Sequence, residues 1–287
     1  MLSVRDSGLP AVPFCLIRPE KPAPETRRKL SNPLLEYDQI AETLLQKAAA
    51  DGAETMWDRK AALKTQCQFG EKGICCRICA MGPCRISPVE GKGAKAGICG
   101  ATKDTIVARN FARMVAGGSA AHSDHARDIV HAMHRASEEG PFKIRSEEKL
   151  RRIANEWGIE DADTKEKYDL AHELSEMALL EFGKPFGTQR FLSRAPQVRQ
   201  DLWNREKIAP RAIDQEVVTL MHSTHVGCAS DPESILRRSI RTGMADGWGG
   251  SMIGTEFSDI MYGVPTERAS ESNLGVIDPE MVNIVLH

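Results

Sequence analysis

The stretch that decides the fold begins at residue 67 and reads Cys67-Gln-Phe-Gly-Glu-Lys-Gly-Ile-Cys75-Cys76-Arg-Ile-Cys79-Ala-Met-Gly-Pro-Cys84. A glycine-rich run then leads to Cys99. The chain has eight cysteines in 287 residues, and six of them fall between positions 67 and 99. Uniform scatter would place about one there. This clustering indicates a metal site rather than disulfides, because the cytosol keeps thiols reduced.

Four of these cysteines have the spacing C-x2-C-x4-C-x14-C, namely Cys76, Cys79, Cys84 and Cys99. Thiolates are soft ligands, and four of them suit a tetrahedral zinc ion or a [4Fe-4S] cubane. The sequence has only one C-x2-C knuckle here and no nearby histidine, whereas zinc ribbons usually have two knuckles. The spacing therefore favours an iron–sulfur cluster, with a zinc site and a leftover thiol pair as the alternative.

Two cysteines, Cys67 and Cys75, remain outside that set. Side chains of adjacent residues tend to point apart, so Cys75 and Cys76 are not expected to serve the same site. Two thiolates make half of a four-ligand site, and the same pair from a second copy would complete it across a two-fold axis. The cysteine count thus predicts a homodimer with a shared cluster at its centre.

The bulk composition is that of a soluble, cytoplasmic globular protein. Hydrophobic residues are 41% and charged residues 27%, and the net charge is −2. A nucleic-acid-binding chain usually has a basic excess, so this class is not expected. No apolar run is long enough to span a bilayer. We expect residues 1–31 to form a flexible proline-rich arm rather than a signal peptide.

Helical signals dominate the rest of the chain, so the predicted fold class is mainly α. We predict helix within residues 31–65, 102–139, 168–182, 217–221 and 232–242, short surface helices within 145–167, a glycine-rich turn at 245–251 and a buried parallel strand at 282–286. The expected domains are a helical cluster-binding domain, residues 32–265 with the cysteine-rich loop 67–100, and the start of a Rossmann-like α/β domain, residues 266–287. We expect the chain to be truncated, because nothing follows the strand to cover it.

A row of titratable residues recurs every third position at His122, His125, Asp128 and His131, with His134 next. On a helix each step rises about 4.5 Å, which makes these side chains close neighbours. Imidazole titrates near neutrality, so the row predicts a proton relay, with a merely polar helix face as the alternative.

Other polar residues carry weaker signals. The pair His222 and His225, near Cys228, is read as making ordinary hydrogen bonds, and Cys15 and Cys228 as free thiols. His172 lies in a charged helix and is expected to be exposed.

The sequence resembles the nickel-iron carbon monoxide dehydrogenases. The run Cys75-Cys76-Arg77-Ile78-Cys79-Ala80-Met81-Gly82-Pro83-Cys84-Arg85-Ile86 is similar to the cluster signature of that family. Further similar segments follow in order from residue 32 onward: Asp51-Gly52-Ala53-Glu54-Thr55-Met56-Trp57-Asp58-Arg59, Ala120-Ala121-His122-Ser123-Asp124-His125, Gly187-Thr188 and Asp246-Gly247-Trp248-Gly249-Gly250-Ser251.

The resemblance implies roles for the same cysteines. Cys76, Cys79, Cys84 and Cys99 would hold a [4Fe-4S] cluster inside each subunit. Cys67 and Cys75 would share a second cluster across the dimer axis.

The resemblance also implies an activity, CO + H2O → CO2 + 2 H+ + 2 e−, at a nickel-iron-sulfur cluster of the full-length enzyme. Asp246 would accept protons beside that centre, with a turn-forming aspartate as the plainer alternative, and His287 is a candidate ligand of its iron. A ferredoxin-like protein would take the electrons, and an acetyl-CoA synthase subunit is an optional partner.

The active-site cluster needs further cysteines, and after Cys99 the chain has only Cys228. We therefore expect these residues alone to be inactive. The two alternatives from other classes are a non-catalytic iron–sulfur electron-transfer protein and a zinc-binding interaction module.

Overall fold

The computed structural model describes residues 39–63 and 65–264 of the chain. The proline-rich arm predicted for residues 1–31, the strand predicted for 282–286 and His287 lie outside this range. The described residues fall into two units divided after Thr65. The first contains helices α1 (Gln39–Ala50) and α2 (Met56–Ala62). The capping box of α2 is complete, because the Thr55 hydroxyl accepts from Asp58 N and the Asp58 carboxylate accepts from Thr55 N.

The second unit begins with the cysteine segment and continues as a helical bundle. The segment contains α3 (Gln68–Glu71) and the antiparallel strands β1 (Cys75–Cys76) and β2 (Cys84–Arg85). The bundle consists of α4 (Lys103–His134), α5 (Glu147–Glu156), α6 (Lys167–Gly183), a 3-10 helix (Arg190–Arg194), α7 (Gln197–Arg205), α8 (Ile213–Ser223), α9 (Pro232–Ala245), a π-helical segment (Asp246–Ser251) and α10 (Met252–Tyr262). The predicted mainly α fold is confirmed. Among the described residues, no helix combines the length and the apolar character needed to cross a membrane.

The 32-residue helix α4 is the axis of this bundle, because α6, α8, α9, α10 and the π-helical segment all pack against it. Its first turn is capped by Thr102, whose hydroxyl accepts from Thr105 N at 3.3 Å. Its first half presents a narrow buried stripe of alanines, Ala108, Ala112 and Ala116, against α8 and α9. Small side chains at four-residue spacing let those helices approach closely.

Helix α4 ends at His134, five residues before the predicted end at position 139. Ser137 takes the chain out of the helix, because its N–H donates to the Phe142 carbonyl at 3.2 Å. Its hydroxyl accepts from Gly140 N at 2.9 Å. These bonds satisfy groups that one more helical turn would have used.

Two further predictions were wrong in part. Helix α5 was expected on the surface, but its Leu150, Ile153 and Ala154 are fully buried in the main core. The turn predicted at 245–251 is instead the π-helical segment that joins α9 to α10. Its glycines allow close packing rather than chain reversal, since Gly249 and Gly250 are buried.

Two carboxylates, buried Glu216 and half-buried Glu256, form ion pairs within the bundle. Glu216 of α8 is 2% exposed, and its Oε1 lies 3.0 Å from Arg211 Nε and 2.8 Å from Arg241 Nη2. Glu256 of α10 pairs with Lys149 of α5 at 2.7 Å and also with Arg194. Burial raises the pKa of Glu256, but hydrogen bonds from Lys149 and Arg194 outweigh it and leave that pKa below its ordinary value.

Candidate metal centre

The two-residue ladder between β1 and β2 brings the first pair of predicted ligands together. Cys76 lies directly opposite Cys84 in the antiparallel register. Directly opposed residues in such a pair have Cα atoms about 4.5–5.5 Å apart, with side chains on the same face. Cys76 is 7% exposed and packs over Ile86, Ala101 and Ile106, where α4 begins. The hairpin therefore presents two thiols from one face above a small apolar core.

The turn between these strands carries Cys79 back toward them. Gly82 N donates to the Cys79 carbonyl at 3.2 Å. A Cβ at Gly82 would lie 3.0 Å from the Cys76 carbonyl oxygen and 3.4 Å from that of Cys79, so a side chain here would press on the backbone of the turn.

The loop that carries Cys99 closes on Cys84. A Cβ at Gly97 would lie 3.3 Å from Cys84 Cβ and 3.4 Å from Cys84 Sγ. The next residue, Ile98, donates its N–H to Cys84 Sγ at 3.5 Å. Backbone N–H groups directed at sulfur stabilise thiolates and tune the clusters they hold.

Cys99 has a cationic neighbour from α4, because Arg109 Nη1 lies 4.0 Å from its sulfur. The backbone N–H of Ala101 chiefly lowers the pKa of the Cys99 thiol, and Arg109 adds to that effect against a small desolvation cost. A lowered pKa favours the thiolate, which is the form that binds metal. Arg109 is itself held by the Ala229 carbonyl at 2.5 Å.

The remaining two cysteines stand apart from this group. Cys67 caps α3 and is exposed, and the backbone N–H groups of Gly70 and then Phe69 lower its thiol pKa. Cys75 points to the opposite face of β1 from Cys76 and is half-buried. Its carbonyl accepts from Asn110 Nδ2 at 3.0 Å, which fixes the strand to α4.

The donor set fits an iron–sulfur cubane. All seven cysteines among the described residues are free thiols. No three of their sulfurs lie within 4.8 Å of one another. A tetrahedral zinc site would need sulfurs about 3.8 Å apart, since each Zn–S bond is about 2.3 Å. A cubane accepts one thiolate at each of four separate irons, so it suits a wider set.

The predicted proton row lies on the second half of α4. His122 Nδ1 and Asp246 Oδ1 are 2.8 Å apart, which joins α4 to the π-helical segment. Ser251 Oγ lies 3.4 Å from the same nitrogen. This contact could not be predicted from residue spacing, because His122 and Asp246 are 124 positions apart.

A groove of about 430 Å³ opens beside this pair and is lined by His122, His125, Gly250, Ser251, Gly254, Thr255, Ser258 and Asp259. Two glycines give α4 its close approach to the neighbouring segment. A Cβ at Gly250 would lie 3.4 Å from the His122 carbonyl carbon, and one at Gly254 would lie 3.6 Å from His125 Cδ2. Asp128 and His131 follow on α4 beyond the groove, with exposed side chains.

The remaining candidates do not join either group. His222, His225 and Cys228 are exposed near the end of α8. The Cys228 thiol contacts the Val226 carbonyl at 3.8 Å. Arg109 and Asn110 were missed from the sequence, since only the folded α4 places them against the cysteine segment.

The Prismane/CO dehydrogenase family matches residues 74–287 of the chain. Carbon monoxide dehydrogenase 1 of Methanosarcina acetivorans is 48% identical over 252 residues, which are 87% of this chain and 40% of that protein. The beta subunit of the Moorella thermoacetica carbon monoxide dehydrogenase/acetyl-CoA synthase is 37% identical over 85% of this chain and 36% of that protein.

Among solved structures, a nickel-free carbon monoxide dehydrogenase from Thermococcus sp. AM4 superposes with a TM-score of 0.71. It is 47% identical, and the match covers 79% of this chain and 36% of that one. The chain thus spans about 40% of the length of the Methanosarcina relatives. With the family matched over most of its residues, the chain belongs to the Prismane/CO dehydrogenase family.

Proposed function

We propose that this chain is the cluster-holding and proton-conducting part of an oxidoreductase that interconverts CO and CO2. The balanced reaction is CO + H2O → CO2 + 2 H+ + 2 e−. Relatives named carbon monoxide dehydrogenase support the substrate, and the chain matches about 40% of their length. The observation that carries the proposal is the closure of the Cys99 loop on Cys84, opposite Cys76.

Cys76, Cys79, Cys84 and Cys99 would hold a [4Fe-4S] cluster within the chain. The wide spacing of the thiols favours a cubane over a single zinc ion. Such a cluster passes one electron at a time, and the surrounding N–H donors and Arg109 would raise its reduction potential by favouring the more negative reduced state. A ferredoxin-like protein would accept the electrons at the surface.

Cys67 and Cys75 would supply two thiolates to a second [4Fe-4S] cluster shared with another copy of the chain. Support comes from the exposure of Cys67 and from the opposite orientations of Cys75 and Cys76 on β1. The pair can then face a two-fold axis while Cys76, on the other face of β1, stays buried over the start of α4.

His122 and Asp246 would begin the path by which the two protons leave. The Asp246 carboxylate oxygen lies 2.8 Å from His122 Nδ1, within reach for a proton to pass between the two side chains. His125 lies on the same groove, and Asp128 and His131 continue the row toward solvent. Asp128 in place of an imidazole would accept and release protons as a carboxylate.

The nickel-iron-sulfur cluster of the full-length enzyme supplies the redox chemistry on CO. Toward that group the chain offers His287 as a candidate ligand, which lies outside the described residues. The name of the Moorella thermoacetica relative adds an acetyl-CoA synthase subunit as an optional partner.

The test is to measure iron, sulfide, zinc and nickel, with EPR spectra, on chain purified without oxygen. We expect about six irons per chain, four from one cubane and two from half of a shared one. Cys76→Ser should lose about four irons per chain, and Cys228→Ser should lose none. Cys67→Ser should lose about two irons per chain and should no longer form the dimer. Zinc in place of iron and sulfide would contradict the proposal.

The proton path is tested in the full-length enzyme by Asp246→Asn, with Asp124→Asn on the exposed face of α4 as the control. We expect Asp246→Asn to lower the rate of CO oxidation about tenfold or more, and added imidazole buffer to restore part of it. Equal rates in the two variants would refute the assignment.

A further inference from the structure

A second set of side chains that can ligate a metal lies at the far end of α4 from the cysteine segment 67–99. His134 is the last residue of α4, and His172 and Glu176 lie one turn apart on α6. One ligand atom from each of the three lies within 4.8 Å of the other two. Helix α4 is about 48 Å long, so this set is remote from the thiols near its start.

The orientation of His172 is fixed in the manner of a metal-binding imidazole. Its Nδ1 lies 3.2 Å from the His134 carbonyl oxygen, which can only accept, so Nδ1 carries the proton. The other ring nitrogen, Nε2, carries the lone pair of the neutral imidazole and lies 3.8 Å from Glu176 Oε1. A backbone carbonyl on the other nitrogen is the usual partner of a histidine that binds metal.

The two imidazoles also hold each other in place. Their ring centroids are 3.9 Å apart, with 35° between the planes. The His134 side chain is half-buried at the junction of α4 and α6, which limits the positions that its ring can take.

We propose that His134, His172 and Glu176 bind a divalent first-row transition ion such as Zn2+, and that this ion ties the end of α4 to α6. Two imidazoles and a carboxylate suit the borderline ions of this class. Tetrahedral zinc needs ligand atoms about 3.3 Å apart. The side chains of His172 and Glu176 are half-exposed, so they have room to move to that distance. Solvent completes the coordination, as expected for an accessible three-ligand site.

This site is tested on cluster-loaded chain by equilibrium dialysis against micromolar zinc, followed by X-ray absorption at the zinc edge. We expect one zinc per chain with nitrogen and oxygen neighbours and no sulfur. His172→Gln should weaken zinc binding by about tenfold or more, and the exposed His225→Gln should leave it unchanged.

A second variant separates ligation from folding. Glu176→Gln removes the carboxylate but retains the stacked rings, and it should also weaken zinc binding about tenfold. The exposed Glu148→Gln on α5 is its control. Zinc bound to sulfur, equal affinity in variants and controls, or no bound zinc would each overturn the proposal.

Discussion

Replacing Gly249 by alanine tests the claim that the π-helical segment is glycine-rich because it packs too closely for side chains. The new Cβ would lie 2.5 Å from Gln189 Nε2 and 2.7 Å from Ile213 Cγ1. Gln189 is 1% exposed and Ile213 is fully buried, so neither can move into solvent. The added methyl group must therefore displace these buried side chains or the backbone of the segment.

Three effects determine how much Gly249→Ala changes the free energy of unfolding. Overpacking a well-packed core costs about 1–3 kcal/mol. Displacing Gln189 also breaks its 3.2 Å hydrogen bond to the Ala245 carbonyl, which costs about 1 kcal/mol. Alanine favours the helical backbone over glycine, which offsets up to about 1 kcal/mol of this loss. The net loss is about 2 kcal/mol, which corresponds to a fall in Tm of about 4–8 °C for a unit of this size.

The assay is anaerobic thermal unfolding followed by circular dichroism, with Gly247→Ala as the matched control. Gly247 belongs to the same segment, is exposed, and has nothing within 4 Å of its Cβ position. Its alanine variant should keep or raise Tm because it gains only propensity. If the two variants unfold within about one degree of each other, close packing is not the reason for the glycine.

Two further predictions concern the ion pairs of Glu216 and Glu256. Glu216→Gln should lower the free energy of unfolding by about 2 kcal/mol, because it leaves two arginines without their counter-charge. Glu233→Gln, in an exposed ion pair, should lower it by under about 0.5 kcal/mol, and the urea midpoints of the two variants measure the difference. Glu256→Gln should cost about 1–2 kcal/mol at pH 7. Because the folded pKa of Glu256 is lowered, its stabilisation is complete above the unfolded pKa of about 4.3 and is lost as pH falls through the folded pKa. The free energies of unfolding of the wild type and this variant should therefore converge as the pH falls below about 4, and a gap that does not narrow there would refute the linkage.

The sequence predicted the long helices well because their signals are local. Thr102 marks the start of α4, and Pro232 marks the start of α9 at the residue expected. Helix α5 was misplaced because six of its ten residues are charged, which obscured the apolar face of Leu150 and Ile153. The glycines near position 249 predicted a turn, because the sequence alone does not distinguish a glycine needed for a turn from one needed for close packing.

The candidate site was predictable where ligands are close in the chain and unpredictable where they are far apart. The C-x2-C-x4-C spacing predicts that three of the thiols serve one cluster. The contact between His122 and Asp246 was not readable from spacing, and neither was the His134–His172 stack between α4 and α6. Both depend on which helices become neighbours, and that is decided by the buried faces of the whole bundle.

The length of α4 has a consequence for what changes this protein can tolerate. Arg109 contacts the cysteine segment, and His122 contacts Asp246. The helix between them fixes both the distance and the rotation from one residue to the other. An inserted residue anywhere between the two would turn everything after it by about 100° and advance it by about 1.5 Å. Exposed positions such as Met114 are free to vary in kind, but the number of residues in that interval is not.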